Sequence, residues 1–248
     1  MKITITEDYQ DLSSCAALEV MNTVNENPSA VLGLPTGGTP IGMYQQLVQL
    51  FNEKKIDFSK VTTFNLDEYI GLSPQHPQSY HYYMNQHFFN HININKANVH
   101  LPHGDKEDLN AVCEDYEEKI KATGGIDLLI LGVGTNGHIG FNEPGAEVSD
   151  KTRVVQLAET TIEANSRFFN DIKKVPKKAI TMGLRTILSS KKIILLAAGS
   201  EKADIIKCMF EQTPTNENPA TFLKLHENVS LILDEQAAQK VKESNFTY

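Results

Sequence analysis

The sequence has few cysteines, and they are scattered. Its 248 residues include only Cys15, Cys113 and Cys208, which are odd in number and form no CxxC pair. This set excludes a disulfide framework. Each cysteine falls in an apolar helical stripe, so we expect three buried, reduced thiols. A catalytic cysteine is the alternative, although none has Gly-rich or His-flanked surroundings.

Long apolar runs and an excess of positive charge are also lacking. The longest apolar run, residues 193–198, is far shorter than the roughly 20 residues that span a bilayer. The first residues contain no apolar segment typical of a secretory signal. With 23 basic and 31 acidic side chains, the net charge is −8, which argues against broad binding to nucleic acid or anionic membranes. We therefore expect a cytoplasmic protein with no nucleic-acid or membrane partner.

Strand and helix patterns alternate along the chain. Short apolar runs occur near residues 3–5, 30–34, 61–66, 126–131, 179–182, 193–198 and 229–233. Amphipathic stretches with helical spacing, such as residues 12–24, 41–51 and 109–120, lie between them. This alternation predicts an α/β fold with a mostly parallel sheet and helices on both faces. No linker or repeat divides the sequence, so we expect residues 1–248 to form a single domain.

A glycine-rich turn follows the second predicted strand. Gly37 and Gly38 permit positive φ and allow backbone N–H groups to face a ligand. We expect Thr39 to be the N-cap of the next helix and Pro40 its first residue. A turn of this kind at a helix start binds anions such as phosphate, and a tight turn with a helix cap is the alternative. No Gly-Lys-Ser/Thr follows, so a nucleoside triphosphate is not expected.

A carboxylate follows the third predicted strand, which ends at Leu66. Asp67 stands directly after it, where a general base could reach a ligand. Capping of the following turn is an equally good interpretation. The neighbouring Glu68 points elsewhere if the backbone is still extended, so the two carboxylates need not act together.

The segment 132–145 is the most unusual of the chain. It has four glycines in nine residues, namely Gly132, Gly134, Gly137 and Gly140. The same loop carries Asn136, His138 and Glu143, and a histidine oriented by a carboxylate can transfer protons near neutral pH. The glycine spacing also matches a dinucleotide-binding pattern, but the acidic residue expected about 20 positions later is missing. We interpret the segment as a catalytic loop, with a structural histidine as the alternative.

Two basic residues are candidate phosphate ligands. Arg167 precedes two phenylalanines, and Lys202 follows an apolar strand at a helix start. Arg and Lys bind phosphate well, although each residue taken singly also fits ordinary surface charge. The histidines form no HExxH or Cys/His cluster, so no metal site is expected.

Four segments together carry a family resemblance: residues 34–40 (LPTGGTP), 64–69 (FNLDEY), 132–144 (GVGTNGHIGFNEP) and 165–169 (NSRFF). In order and spacing they resemble the glucosamine-6-phosphate deaminase family over essentially the whole chain. Related 6-phosphogluconolactonases and sugar-binding regulators share the fold but not all four segments. The resemblance implies a Rossmann-like three-layer αβα sandwich. It also implies a hydrolase of amino-sugar catabolism that converts glucosamine 6-phosphate and water to fructose 6-phosphate and ammonia, without a metal or organic cofactor.

The resemblance also implies residue roles. His138 would open the sugar ring with Glu143 as its orienting partner and Asn136 assisting, and Asp67 would carry a proton between C2 and C1. The sugar phosphate would be held by Thr36, Gly37, Gly38, Thr39, Arg167 and Lys202. The alternative functions are a 6-phosphogluconolactonase and a sugar-phosphate-sensing regulator domain.

Two departures from the family pattern qualify this assignment. Asn136 stands where many members have Asp, so Glu143 is expected to contact His138 directly. Longer hexameric members carry Ser-Ser and a basic cluster that bind an allosteric activator, where this chain has Ala146, Glu147 and Val155. We therefore expect a short, non-allosteric type that N-acetylglucosamine 6-phosphate does not activate, and a monomer or small homo-oligomer.

Overall fold

The fold was taken from a computed structural model that describes residues 1–166, 169 and 174–243. Its strands are β1 (Lys2–Thr6), β2 (Val31–Leu34), β3 (Thr62–Asn65), β4 (Asp67–Tyr69), β5 (Val99–His100), β6 (Leu128–Gly132), β7 (Arg153–Gln156), β8 (Lys178–Thr181), β9 (Ile193–Ala197) and β10 (Val229–Asp234). Its α-helices are α1 (Tyr9–Glu26), α2 (Ile41–Asn52), α3 (Tyr80–His87), α4 (Leu109–Ala122), α5 (Glu159–Ser166), α6 (Leu184–Leu188), α7 (Ala203–Glu211) and α8 (Glu235–Glu243). None of the described helices combines the length and the apolar character needed to cross a membrane.

Seven strands form one sheet in the order β1-β10-β9-β6-β2-β3-β5. Every pair in it is parallel. Alternate residues of its central strands enter two separate cores, because successive side chains of a strand point to opposite faces. Leu129 and Leu131 pack with α4, α7 and α8, whereas Leu128 and Ile130 pack with α1, α2 and α3. The predicted three-layer αβα sandwich with a mostly parallel sheet is confirmed.

A second, smaller sheet has the order β4-β8-β7 and is antiparallel. The apolar run near residues 179–182 therefore forms a strand, but not one of the parallel sheet that the alternation predicted. The reason is that the chain leaves β3 at Leu66 and continues as β4, and Thr181 pairs there with Asp67. The backbone N–H of Met182 donates to Leu66 O at 2.7 Å, which joins the two sheets.

The cysteines differ from one another in exposure. Cys113 is buried, whereas Cys15 and Cys208 are half-buried, and all three are free thiols. The expectation of three buried thiols is thus right for Cys113 only. Burial raises the pKa of Cys15 and, with the help of Glu117, that of Cys113 to about 11. Raised thiol pKa values disfavour the nucleophilic thiolate.

The strand order reverses next to β2. From β2 the chain moves outward to β3 and β5, and then returns to place β6 on the other side of β2. Parallel sheets bind ligands at the carboxyl ends of the strands beside such a reversal. The turns after β2, β3, β6 and β9 lie along this one edge, and they carry the predicted site residues.

Candidate active site

Three tyrosine hydroxyls hold the glycine-rich turn after β2. Tyr44 donates to Pro35 O at 2.5 Å, Tyr83 to Gly37 O at 2.6 Å and Tyr9 to Thr39 O at 3.0 Å. Within the described residues, the backbone N–H groups of Gly37, Gly38 and Thr39 have no acceptor. Both glycines are exposed, and Gly37 has φ +98°. A turn whose carbonyls are engaged and whose N–H groups are open suits an anion.

The helix after this turn begins one residue later than predicted. α2 starts at Ile41, so Pro40 occupies the N-cap and makes no side-chain cap bond. The expectation that Thr39 is the N-cap and Pro40 the first helical residue is wrong. The cause is tertiary: the Tyr9 hydroxyl accepts a hydrogen bond from Gly42 N at 2.8 Å. A side chain from α1 therefore satisfies an N–H group that a local cap would otherwise reach.

Asp67 is the first residue of β4 rather than the cap of a turn. Its side chain is 6% exposed. Burial, with a smaller contribution from the charge of Glu68, raises the pKa of Asp67 from 3.8 to about 8. The ionised form of a carboxyl group with such a pKa is a stronger base than an ordinary carboxylate, and it predominates above about pH 8.

The glycines of the loop 132–145 bring His138 and Asp67 to the same site. A Cβ atom on Gly134 would overlap the imidazole of His138. A Cβ atom on Gly140, which has φ +58°, would lie 3.1 Å from Thr181 Oγ1 and 3.4 Å from Asp67 Oδ2. The absence of side chains at these two positions therefore lets the loop fold over the histidine and reach Asp67.

Asn136 lies between His138 and Glu143. His138 Nδ1 is 2.7 Å from Asn136 Oδ1 and 3.4 Å from Glu143 Oε2. Asn136 Nδ2 donates to Glu143 Oε2 at 2.8 Å. The nearest partner of His138 is thus Asn136, and Glu143 also contacts His138 directly, as expected, at the longer distance. An amide has both a donor and an acceptor, so it can bridge the two groups.

This arrangement determines the histidine tautomer. The carboxylate of Glu143 can only accept, so it orients the Asn136 amide with the oxygen toward His138. An amide oxygen also can only accept, and His138 Nδ1 therefore carries a hydrogen. In the neutral ring, Nε2 is then the nitrogen that can take a proton from a ligand.

Glu143 is held in its ionised form. Burial by itself would raise its pKa, but the interactions with His138, Thr161 and Asn136 outweigh burial and lower it to about 2. Thr161, from α5, donates its hydroxyl to Glu143 Oε1. Nothing in the sequence around Thr161 pointed to this contact, because it joins two segments 18 residues apart.

Tyr80 is a second site residue that the sequence reasoning missed. Its ring is stacked on Phe141 at 6.1 Å between centroids and lies 4.8 Å from the ring of Tyr69. Its hydroxyl lies near Thr36, and its pKa is raised first by burial and also by the nearby Tyr69 and Asp67. Tyr80 therefore connects the predicted phosphate turn with the predicted base.

The two predicted basic ligands have different outcomes. Lys202 ends a short 3₁₀ helix (Ser200–Lys202) directly after β9, which places it at the same sheet edge as the other site residues. Arg167 lies outside the described residues. In the part of the chain that the structure describes, no group of three or more His, Cys, Asp or Glu side chains is arranged to hold a metal ion.

Comparison with known proteins identifies the family of this chain. The sequence profile of the family described as "Glucosamine-6-phosphate isomerases/6-phosphogluconolactonase" matches residues 7–232. The chain belongs to this family.

Family members named glucosamine-6-phosphate deaminase are highly similar to this chain. One from Thermoanaerobacter sp. (strain X514) is 54% identical over 245 residues, which cover 99% of this chain and 97% of the relative. "Glucosamine-6-phosphate deaminase 2" of Bacillus subtilis (strain 168) is 52% identical over 249 residues and 100% of both chains. The solved structure of a monomeric glucosamine-6-phosphate deaminase superposes with a TM-score of 0.95 at 46% identity, covering 97% of this chain and 100% of that one.

The lactonase branch of the family is more distant. The 6-phosphogluconolactonase of Trypanosoma brucei has a TM-score of 0.77 at 19% identity, over 97% of this chain and 98% of that chain. Similarity at this level shows the shared fold.

Proposed function

We propose that this protein is a hydrolase that converts glucosamine 6-phosphate and water to fructose 6-phosphate and ammonia, in amino-sugar catabolism. The observation that carries the proposal is the identity of more than half of all aligned residues with glucosamine-6-phosphate deaminases over essentially complete chains. The site described above supplies the groups that such a reaction needs.

The reaction begins with opening of the sugar ring. His138 takes the proton of the anomeric hydroxyl on Nε2 and returns one to the ring oxygen. Asn136, 2.7 Å from Nδ1, and the ionised Glu143 behind it keep the ring in this tautomer. They also stabilise the imidazolium that forms between the two proton transfers, because it lies beside a negative charge.

Asp67 then moves a proton between C2 and C1 of the open chain. A carboxylate cannot readily remove an unactivated C–H proton, but the neighbouring carbonyl of the open sugar acidifies it. Placement of the carboxylate over both carbons supplies proximity, and a pKa of about 8 makes it a stronger base than an ordinary aspartate. The imine at C2 is then hydrolysed, which releases ammonia and leaves fructose 6-phosphate.

The phosphate of the substrate binds at the turn after β2. Open backbone N–H groups of Gly37, Gly38 and Thr39 and the hydroxyl of Thr36 face it, and Lys202 and Arg167 supply positive charge. A protein of net charge −8 can thus bind an anion at a single local site. We also propose that the protein is a cytoplasmic single domain over residues 1–248, acts without a cofactor, has no nucleic-acid or membrane partner, and is a monomer or small homo-oligomer.

Incubation of the purified protein with glucosamine 6-phosphate tests the proposal. We expect ammonia and fructose 6-phosphate in equal amounts. A parallel incubation with 6-phosphogluconolactone is the control, because a lactonase needs a phosphate site and a histidine but no base for a carbon-bound proton. Lactone hydrolysis without ammonia release would overturn the assignment.

A further inference from the structure

Glu68 is a buried carboxylate to which the proposed reaction assigns no role. It follows Asp67 in β4, and its side chain is 1% exposed. Successive side chains of a strand point in opposite directions, so Asp67 faces the loop 132–145 while Glu68 faces the start of α3. The sequence prediction that the two carboxylates diverge is confirmed.

The Glu68 carboxylate is fully occupied by hydrogen-bond donors. Oε1 accepts from Tyr69 N at 2.8 Å and from Tyr80 N at 2.9 Å. Oε2 accepts from His81 N at 3.0 Å and lies 2.8 Å from His81 Nδ1. These four partners match an ionised carboxylate, which only accepts. The negative charge lies at the N-terminus of α3, where the helix dipole favours it.

The charged and titratable groups around Glu68 come from three elements. β4 contributes Asp67 and Tyr69, and α3 contributes Tyr80 and His81. The segment after β5 contributes His103, whose ring is 5.1 Å from that of His81, together with Asp105 and Lys106. Among these groups, only Glu68 adds to the effect of burial in raising the pKa of Asp67.

We propose that Glu68 is a positioning residue: its bonds to the backbone of Tyr80 and His81 fix the start of α3, and its buried charge, next to Asp67 in β4, acts on that base. Both effects reach the site through neighbours, since Glu68 itself faces away from it. The inference rests on the proposed function only for the use of Asp67 as a base. Ionisation of Asp67 is a property of the protein alone, so it can be measured without substrate.

The experiment follows the carboxyl carbon of Asp67 by NMR in protein labelled with ¹³C-aspartate. The signal is assigned by its loss in Asp67→Asn, and its titration midpoint is compared in the wild type and Glu68→Gln. We expect the midpoint to fall by at least about half a pH unit in Glu68→Gln, because a like charge has been removed. The acid limb of kcat/KM should move to lower pH by the same amount.

Glu117→Gln is the matched control. Glu117 also accepts several hydrogen bonds, from Thr152 N at 2.9 Å and from the hydroxyls of Thr152 and Thr186 at 2.5 and 2.6 Å. It lies on α4, outside the proposed site. Its replacement should change stability and leave the Asp67 midpoint unchanged.

His81→Phe provides a test of opposite sign if Glu68→Gln does not fold. The variant keeps a ring against His103 but removes the side-chain donor that lies 2.8 Å from Glu68. The negative charge of Glu68 is then less compensated, so the titration midpoint of Asp67 should rise. An unchanged Asp67 midpoint in both variants would overturn the proposal. If the wild type releases no ammonia from glucosamine 6-phosphate, the proposed function is refuted. The titration midpoints of Asp67 would still test the effect of Glu68, because they are measured without substrate.

Discussion

Replacement of Asp67 by asparagine should abolish most activity and at the same time stabilise the protein. The substitution keeps the shape of a side chain that is 6% exposed and removes its charge and its ability to take a proton. Loss of a general base costs about 10²–10⁴-fold in rate. We expect kcat for ammonia release to fall within that range, with a smaller change in KM because the phosphate contacts are retained.

The stability effect follows from the raised pKa of Asp67. In the unfolded chain this carboxyl loses its proton near its ordinary pKa of 3.8, whereas in the folded protein it keeps the proton up to about pH 8. Between these values unfolding releases a proton, so raising the pH favours unfolding. The stabilising contribution is complete below pH 4 and is lost as the pH rises to about 8. The loss is about 1.4 kcal/mol per pH unit, or roughly 6 kcal/mol over the full interval.

The asparagine side chain of the Asp67→Asn variant cannot titrate, so the free energy of unfolding of the variant does not fall with rising pH in this way. The difference in free energy of unfolding between the variant and the wild type should therefore increase in favour of the variant by about 2–3 kcal/mol from pH 6 to pH 8. It should change little from pH 8 to pH 9. Urea unfolding of both proteins at these pH values measures the gap. Asp115→Asn is the control, because Asp115 is largely exposed and its replacement should give a gap that barely depends on pH.

Two results would refute this reasoning separately. A constant gap from pH 6 to pH 9 would mean that Asp67 ionises at an ordinary pH in the folded protein. A variant that keeps most of its deaminase activity would mean that Asp67 does not move the carbon-bound proton. A protein that gains stability when its base is removed is typical of an active site that retains an unfavourable buried carboxyl for function.

Three further predictions concern the turn after β2 and the loop 132–145. Tyr83→Phe should raise KM about threefold to tenfold with kcat nearly unchanged, because it removes the hydroxyl that donates to Gly37 O at 2.6 Å. The control is Tyr82→Phe at an exposed neighbouring position, which should leave KM unaltered. Gly134→Ala should reduce kcat at least about 10²-fold, because its Cβ atom displaces the imidazole of His138, and a fully active variant would contradict the described loop. Glu143→Gln should reduce kcat about 10- to 100-fold. In this variant both neutral tautomers of His138 should be populated, which ¹⁵N NMR of the imidazole detects. A single tautomer would contradict the role of the carboxylate.

Local patterns were reliable wherever one strand face or one helix face decides the structure. The run 128–131 is apolar because β6 is buried on both faces, and residues 109–120 are amphipathic because α4 covers one face of the sheet. A helix cap depends on local sequence alone only where its partner is near along the chain. The side chains of Asp8, Ser79 and Asp108 each accept a hydrogen bond from the backbone N–H three positions later. The start of α2, in contrast, depends on Tyr9, which is 33 residues away from its partner Gly42.

The sequence by itself therefore determined the layered α/β architecture, the edge of the sheet that carries the site, and the residues Asp67, Asn136, His138 and Glu143 as candidates. Only the tertiary structure decided the pKa values of these residues and which other side chains contact them. The order of contacts in the loop, with Asn136 between His138 and Glu143, depends on differences in distance of less than an ångström. The pKa of Asp67 and the contacts of Glu68, Tyr80 and Thr161 arise from segments that meet only on folding. Burial and charge act through space, and the order of residues along the chain does not record them.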